Sequence, residues 1–198
     1  MPKSKSIKKR EEIYTAIAHL FAHKGFHSTS MRDIARELGM NPSSLYHYFK
    51  GKEDMLFKLM NDAMDEALVI IEEICDADIT PEKKLTRILV YYTKYFAGEQ
   101  EREILLVNEI GSLKGEFQRI LLEKQRRYVH LIRSILCELA EQGRMKPLDP
   151  TTALFAFFGM VHYTIKWYDK DGPVGLDKLA ESFLEIFTKG ILRQPEPQ

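Results

Sequence analysis

Gly39 and Pro42 stand three residues apart in the stretch SMRDIARELGMNPSSLYHYFKGK (30–52), and between them one helix must end and another begin. Glycine is the residue that best tolerates the left-handed conformation just past a helix end. Proline fits the first turn of a helix, where its missing N–H costs nothing. Ser30 with Asp33 three residues on is a capping-box start, and Met31, Ile34, Ala35 and Leu38 follow at helical spacing. Asn41 is placed to cap the second helix, over Pro42 to about Tyr48. The stretch therefore reads as two short helices joined by a tight turn.

The second of these helices has an uncommon surface. Leu45 and Phe49, at i and i+4, serve as its buried pair. Ser43, Ser44, Tyr46, His47 and Tyr48 fill the other positions. An ordinary helical hairpin leaves such positions to Lys, Glu or Ala. Short hydroxyls and aromatic hydroxyls suit a helix in a DNA major groove, where small polar groups meet base edges and tyrosines reach phosphates. Lys52 opens the following helix and is expected to add a phosphate contact.

From Ile13 to Leu56 the sequence resembles the DNA-binding domain of the TetR family of bacterial transcriptional regulators. The resemblance rests on the Phe21–Gly25–Phe26 helix end, Thr29, Ile34-Ala35, Gly39, the run Leu45-Tyr46-His47-Tyr48-Phe49, and Lys52-Glu53 to Leu56. It covers the first third of the chain; beyond Ala67 it is architectural. It implies an all-α fold, with a three-helix helix-turn-helix domain over residues 1–52. Residues 53–198 would be a helical domain for ligand sensing and dimerisation, about nine helices in all. Arg32, Asn41, Ser43, Ser44, Tyr46, His47, Tyr48 and Lys52 are the expected DNA-contacting residues. Ser43, Ser44 and His47 would read bases, and Arg32, Tyr46, Tyr48 and Lys52 would set register on phosphates. The implied partners are a double-stranded, palindromic DNA operator, a second copy of the chain and a small hydrophobic effector. Repression is the expected sign.

The charge distribution agrees. The chain is neutral overall, with 29 basic and 29 acidic residues. Residues 1–52 hold ten basic against four acidic groups, a net +6, which leaves −6 on residues 53–198. A basic end on an acidic body fits a DNA reader with a second domain of another kind. The arm from Lys3 to Arg10 either folds onto DNA as the first turn of helix one or remains a solvated tail.

The remaining periodicity is helical throughout. Ile13, Ala16, Ile17, Leu20 and Phe21 form the stripe that holds the head together. A helix over about Lys52 to Cys75, roughly 36 Å long, is a candidate transmission rod between head and body. Pro81 to about Phe96, Gln100 to Glu109, Glu116 to Gln142, Thr151 to Tyr168 and Leu176 to Leu192 follow as helices. The helix over 151–168 is apolar nearly all round, and the last helix shows a seam pattern. Together they predict a two-fold, four-helix dimer interface that includes Phe155, Val161, Trp167, Phe183 and Phe187.

Aromatics crowd the body. Tyr92, Tyr95, Phe117, Leu121, Tyr128, Phe158 and His162 are the expected effector-pocket lining, apolar walls with a few hydroxyls and one imidazole. Core packing alone accounts for most of them singly. The segment WYDKDGP (167–173) looks like members of the family that respond to acyl-coenzyme A thioesters or similar fatty compounds. Lys124, Arg126 and Arg127 read as a solvated face, with an anion clamp at a pocket mouth as the sharper alternative.

Nothing in the sequence supports catalysis or a cofactor: it has no phosphate loop, no metal-ligand cluster, and no nucleophile–His–acid set at a known spacing. A helical lipid or small-molecule carrier is the rival class. His19, His23 and His27 are spaced i, i+4, i+8. His27 lies past the Gly25 break and no further ligand is evident, so surface histidines rather than a metal set are expected. Cys75 and Cys137 are each lone on an apolar-patterned helix and read as buried thiols, with no metal or disulfide spacing. The first ten residues lack an apolar core, and the longest uncharged run, Pro150 to Ile165, is short of a membrane span. The expected location is the cytoplasm.

Overall fold

In the computed structural model, residues 2–193 are described, with side chains from residue 12 onward. The elements are α1 (Pro2–Lys24), α2 (Met31–Glu37), α3 (Pro42–Tyr46), α4 (Lys52–Asp76), α5 (Pro81–Gly98) and α6 (Gln100–Asn108). A 3-10 turn (Ile110–Ser112) precedes α7 (Gly115–Glu141), α8 (Pro150–His162), α9 (Thr164–Trp167) and α10 (Leu176–Ile191). Among the described residues the only β feature is an isolated bridge between Met145 and Leu192. The fold is all-α, as expected. No described helix is long and apolar enough to cross a membrane.

Local chemistry sets the boundaries. Ser30 Oγ accepts the Asp33 N–H and the Asp33 carboxylate accepts the Ser30 N–H, which completes the capping box of α2. Gly25 and Gly39 take φ of +85° and +59°, where a side chain would strain the backbone. Thr80 and Asp149 cap α5 and α8, each followed by a proline. The helix expected over 151–168 is divided at Tyr163. The Thr164 hydroxyl donates to the Val161 carbonyl at 2.6 Å, a local side-chain bond that competes with the helical ladder. α1 begins at Pro2, so the backbone of the basic arm is helical; the side chains of Lys3 to Arg10 lie outside the described residues.

The chain forms two compact units. One comprises residues 1–65 and 101–122, the other 66–100 and 123–198. This packing division differs from a partition at residue 52: α4 up to Asp65, α6 from Glu101, the 3-10 turn and the start of α7 up to Leu122 belong to the first unit. Its core is Ile17, Phe21, Ile34, Leu45, Met55, Leu56 and Leu59 with Leu105, Leu113 and Leu121. The second unit is built on Ile71, Leu85, Ile88, Leu89, Ile132, Leu136, Leu139, Leu154, Phe157, Val161 and Phe187. Leu45 is fully buried and seats α3, which at five residues has no stability of its own. Truncating such a leucine to alanine costs roughly 2–5 kcal/mol. Both cysteines are free thiols and, against expectation, half-buried rather than buried; the partial burial pushes the Cys75 thiol up.

Candidate nucleic-acid interface and sensor core

The helix-turn-helix is held from inside and open outside. Leu45 and Phe49 point into the first unit's core. Asn41 Oδ1 accepts the backbone N–H of Ser43 at 3.1 Å and its hydroxyl at 2.9 Å, so Asn41 is the cap of α3. Ser43, Tyr46, His47 and Tyr48 are exposed and Ser44 is half-buried. Tyr46 and Tyr48 are 57% and 55% exposed, high for tyrosines that sequence patterning could have buried. Arg32 is exposed on α2. Lys24 at the end of α1 pairs with Asp33 at 2.8 Å. Hydrogen bonds from Lys24 and then Ser30 hold the Asp33 carboxyl far below the usual carboxylate range.

Lys52 does something other than the expected phosphate contact. Its ammonium donates to the carbonyls of Phe26, His27 and Thr29, at 2.9, 3.1 and 3.2 Å, and stands 4.6 Å from the centre of the Phe26 ring. An ammonium has three protons, and all three are used within the domain. Lys52 therefore clamps the α1–α2 loop onto the start of α4. A lysine near a helix start carries no sequence mark to separate these two roles.

In the second unit the structure brings four of the expected pocket residues together. Tyr92 packs against Tyr128, Phe157, Phe158 and His162, with ring centres 5.3–5.9 Å apart. His162 lies between Phe96 and Phe158, stacked on both. Its Nε2 is hydrogen-bonded to the Tyr92 hydroxyl at 2.5 Å. Burial pushes the His162 imidazole down to about 4, so it is neutral at neutral pH. The Tyr128 hydroxyl is buried and makes no hydrogen bond to another described residue. Tyr95 is half-buried beside Tyr91. Phe117 and Leu121 are corrections: both belong to the first unit's core, with Phe117 stacked on Phe57 at 4.3 Å. Their helical stripe on α7 is continuous with that of Tyr128, and periodicity does not say which core each part of a long helix serves.

The basic group on α7 reads as a surface face, with Arg127 paired to Glu72 at 2.7 Å. The segment 167–173 is a built turn. The Tyr168 hydroxyl donates to the Val174 carbonyl, and Gln100 donates to the Tyr168 carbonyl, both at 2.9 Å.

The expected dimer residues divide. Phe155 and Trp167 are exposed, at 55% and 52%, and Phe183 is half-buried. Val161 and Phe187 are corrections, since both are buried in their own chain's core. On a helix apolar all round, hydrophobicity cannot tell the inner face from the outer. Tyr163 on the all-round apolar stretch and Ile186 in the seam of the last helix are also exposed large side chains.

Residues 13–59 match the model described as bacterial regulatory proteins, tetR family, and residues 78–191, more than half of the chain, match the tetracyclin repressor-like C-terminal domain. The fatty acid metabolism regulator protein of Bacillus subtilis is 28% identical over 91% of this chain and 94% of its own. The transcriptional repressor KstR2 of Mycolicibacterium smegmatis is 26% identical over 95% of this chain and 93% of its own. Among solved structures, AibR in complex with isovaleryl coenzyme A and operator DNA aligns with a TM-score of 0.80 at 26% identity, over 90% of this chain and 97% of that one. With both halves matched by the family's models, the chain belongs to the TetR family of bacterial transcriptional regulators.

Proposed function

We propose that this regulator is a cytoplasmic repressor, released from a palindromic operator when a coenzyme A thioester of a hydrophobic acyl group binds its second unit. The observation that carries the DNA reading is the open face of α3: Tyr46, His47 and Tyr48 are exposed while Leu45 and Phe49 hold the helix in place. Ser43, Ser44 and His47 read base edges. Arg32, Tyr46 and Tyr48 fix register on phosphates, and Asn41 sets the start of the recognition helix. Two copies of the chain meet through the exposed apolar residues of α8 to α10, Phe155, Tyr163, Trp167 and Ile186, and present two recognition helices to successive major-groove faces.

The effector reading rests on the cluster of Tyr92, Tyr128, Phe158 and His162, apolar walls with an unpaired buried hydroxyl. The acyl class is supported by the isovaleryl coenzyme A in the AibR structure and by the fatty acid metabolism regulator among the relatives. An effector that favours a body shape with misplaced heads weakens DNA binding by its coupling free energy, typically 1–3 kcal/mol, or about 5–150-fold. α4, which contributes to both units, is the proposed carrier of that displacement.

The test is fluorescence anisotropy on duplexes from upstream of the protein's own gene, titrated with short-, medium- and long-chain acyl-coenzyme A thioesters. Saturable binding that one chain-length class reverses supports the reading. Binding that no thioester shifts removes the acyl assignment and leaves the DNA reading in place.

A further inference from the structure

We propose that His19, His23 and Glu101 form a binding site for one divalent transition-metal ion of the zinc class, within the same unit as the recognition helix. His19 and His23 stand at i and i+4 on α1, the spacing that puts two imidazoles on one helix face, as in helical zinc sites. Glu101, in the first turn of α6, supplies the third donor from 82 and 78 residues away. His19 Nδ1 lies 2.9 Å and His23 Nε2 3.0 Å from one and the same carboxylate oxygen, Oε1. The three donor atoms all fall within 4.8 Å of one another.

Two imidazole nitrogens and a carboxylate oxygen with an open fourth position are a ligand set that zinc takes, at about 2.0–2.2 Å from each atom, so that tetrahedral ligand atoms sit roughly 3.4 Å apart. The observed separations from Oε1 are a few tenths of an ångström shorter. Side-chain rotation of exposed groups supplies that difference. All three side chains are reached by solvent, which gives an ion a path in and leaves the fourth position to water. His27 is not part of the set: its Nε2 is bonded to the Ser112 hydroxyl at 3.1 Å. The bound ion would join α1 to α6. The site goes beyond the acyl thioester reading and does not depend on it.

The experiment is a Co2+ titration of the full chain with any affinity tag removed, read in the visible absorption of tetrahedral cobalt and repeated with Zn2+ by calorimetry. One saturable ion per chain is expected. His19→Ala and His23→Ala should each weaken it by more than the roughly 10–100-fold that loss of an outer partner costs. Glu101→Gln should weaken it also, while His130→Ala, elsewhere on the surface, should leave it unchanged. Circular dichroism establishes that the variants fold. A Zn2+-dependent rise in melting temperature should accompany binding in the wild type and vanish in the double variant. Absence of saturable binding, or equal affinity in the double histidine variant, overturns the proposal and reduces the cluster to a plain histidine–carboxylate pairing.

Discussion

The Tyr92 hydroxyl and His162 Nε2 meet at 2.5 Å among the rings of Phe96 and Phe158, so the one imidazole of the aromatic cluster is held neutral. An unfolded histidine titrates near 6.5, whereas this one titrates at about 4. Between these values the unfolded chain binds a proton that the native chain does not, so stability rises with pH. The contribution is fully present above about pH 6.5 and is lost as pH falls toward 4. At about 1.4 kcal/mol per unit it amounts to roughly 2–3 kcal/mol after allowance for partial exposure. Urea unfolding of His162→Phe between pH 4 and 7 should show a flatter dependence than the wild type.

Lys52 should behave as a structural residue. Lys52→Met keeps the stem and removes three donors from the carbonyls of Phe26, His27 and Thr29. A charged hydrogen-bond cluster of this exposure is worth about 2 kcal/mol. Thermal unfolding should begin roughly 4–8 °C lower. Loss of operator binding without loss of stability would return Lys52 to the phosphate contacts.

Phosphate and base contacts separate by salt. Arg32→Ala should weaken binding to all duplexes alike and lower the slope of log K against log salt by about 1. Tyr46→Phe removes a neutral donor, so it should weaken binding and leave the slope unchanged. Ser43→Ala should relax sequence preference by roughly 1–3 kcal/mol at one base pair, read by competition between operator variants.

The apolar face of α8 to α10 separates assembly from folding. Phe155→Glu with Tyr163→Glu should shift the sedimentation coefficient to that of a monomer while circular dichroism stays native. Val161→Ala or Phe187→Ala, inside the core, should instead lower stability by roughly 1–5 kcal/mol.

What could be read from the sequence was what neighbouring residues decide among themselves. Ser30 with Asp33, Gly39, and Asn41 with Pro42 each set a boundary through bonds spanning five residues or fewer, and the structure has those bonds. Destination over long range was hidden. Phe117 and Tyr128 share one helix and one periodicity but lie in different cores. Val161 and Phe155 are equally apolar neighbours on α8, and only one faces outward. Glu101 completes the histidine pair from another helix, where no local pattern points to it. Lys52 was placed correctly and given the wrong partner, because a cation near a helix start suits a phosphate and a carbonyl cluster equally well.

Trp167 is the chain's single tryptophan, and it stands half in solvent beside Tyr168, on the face assigned to the partner subunit. The protein thus carries its one indole fluorophore, separable from the tyrosines by excitation at the red edge, at the place where assembly changes the polarity around it. Its emission can be followed without a label, and dilution through the dimer's dissociation should move that emission to the red. The same indole reports in one cuvette whether an effector that empties the operator does so with the two subunits still joined.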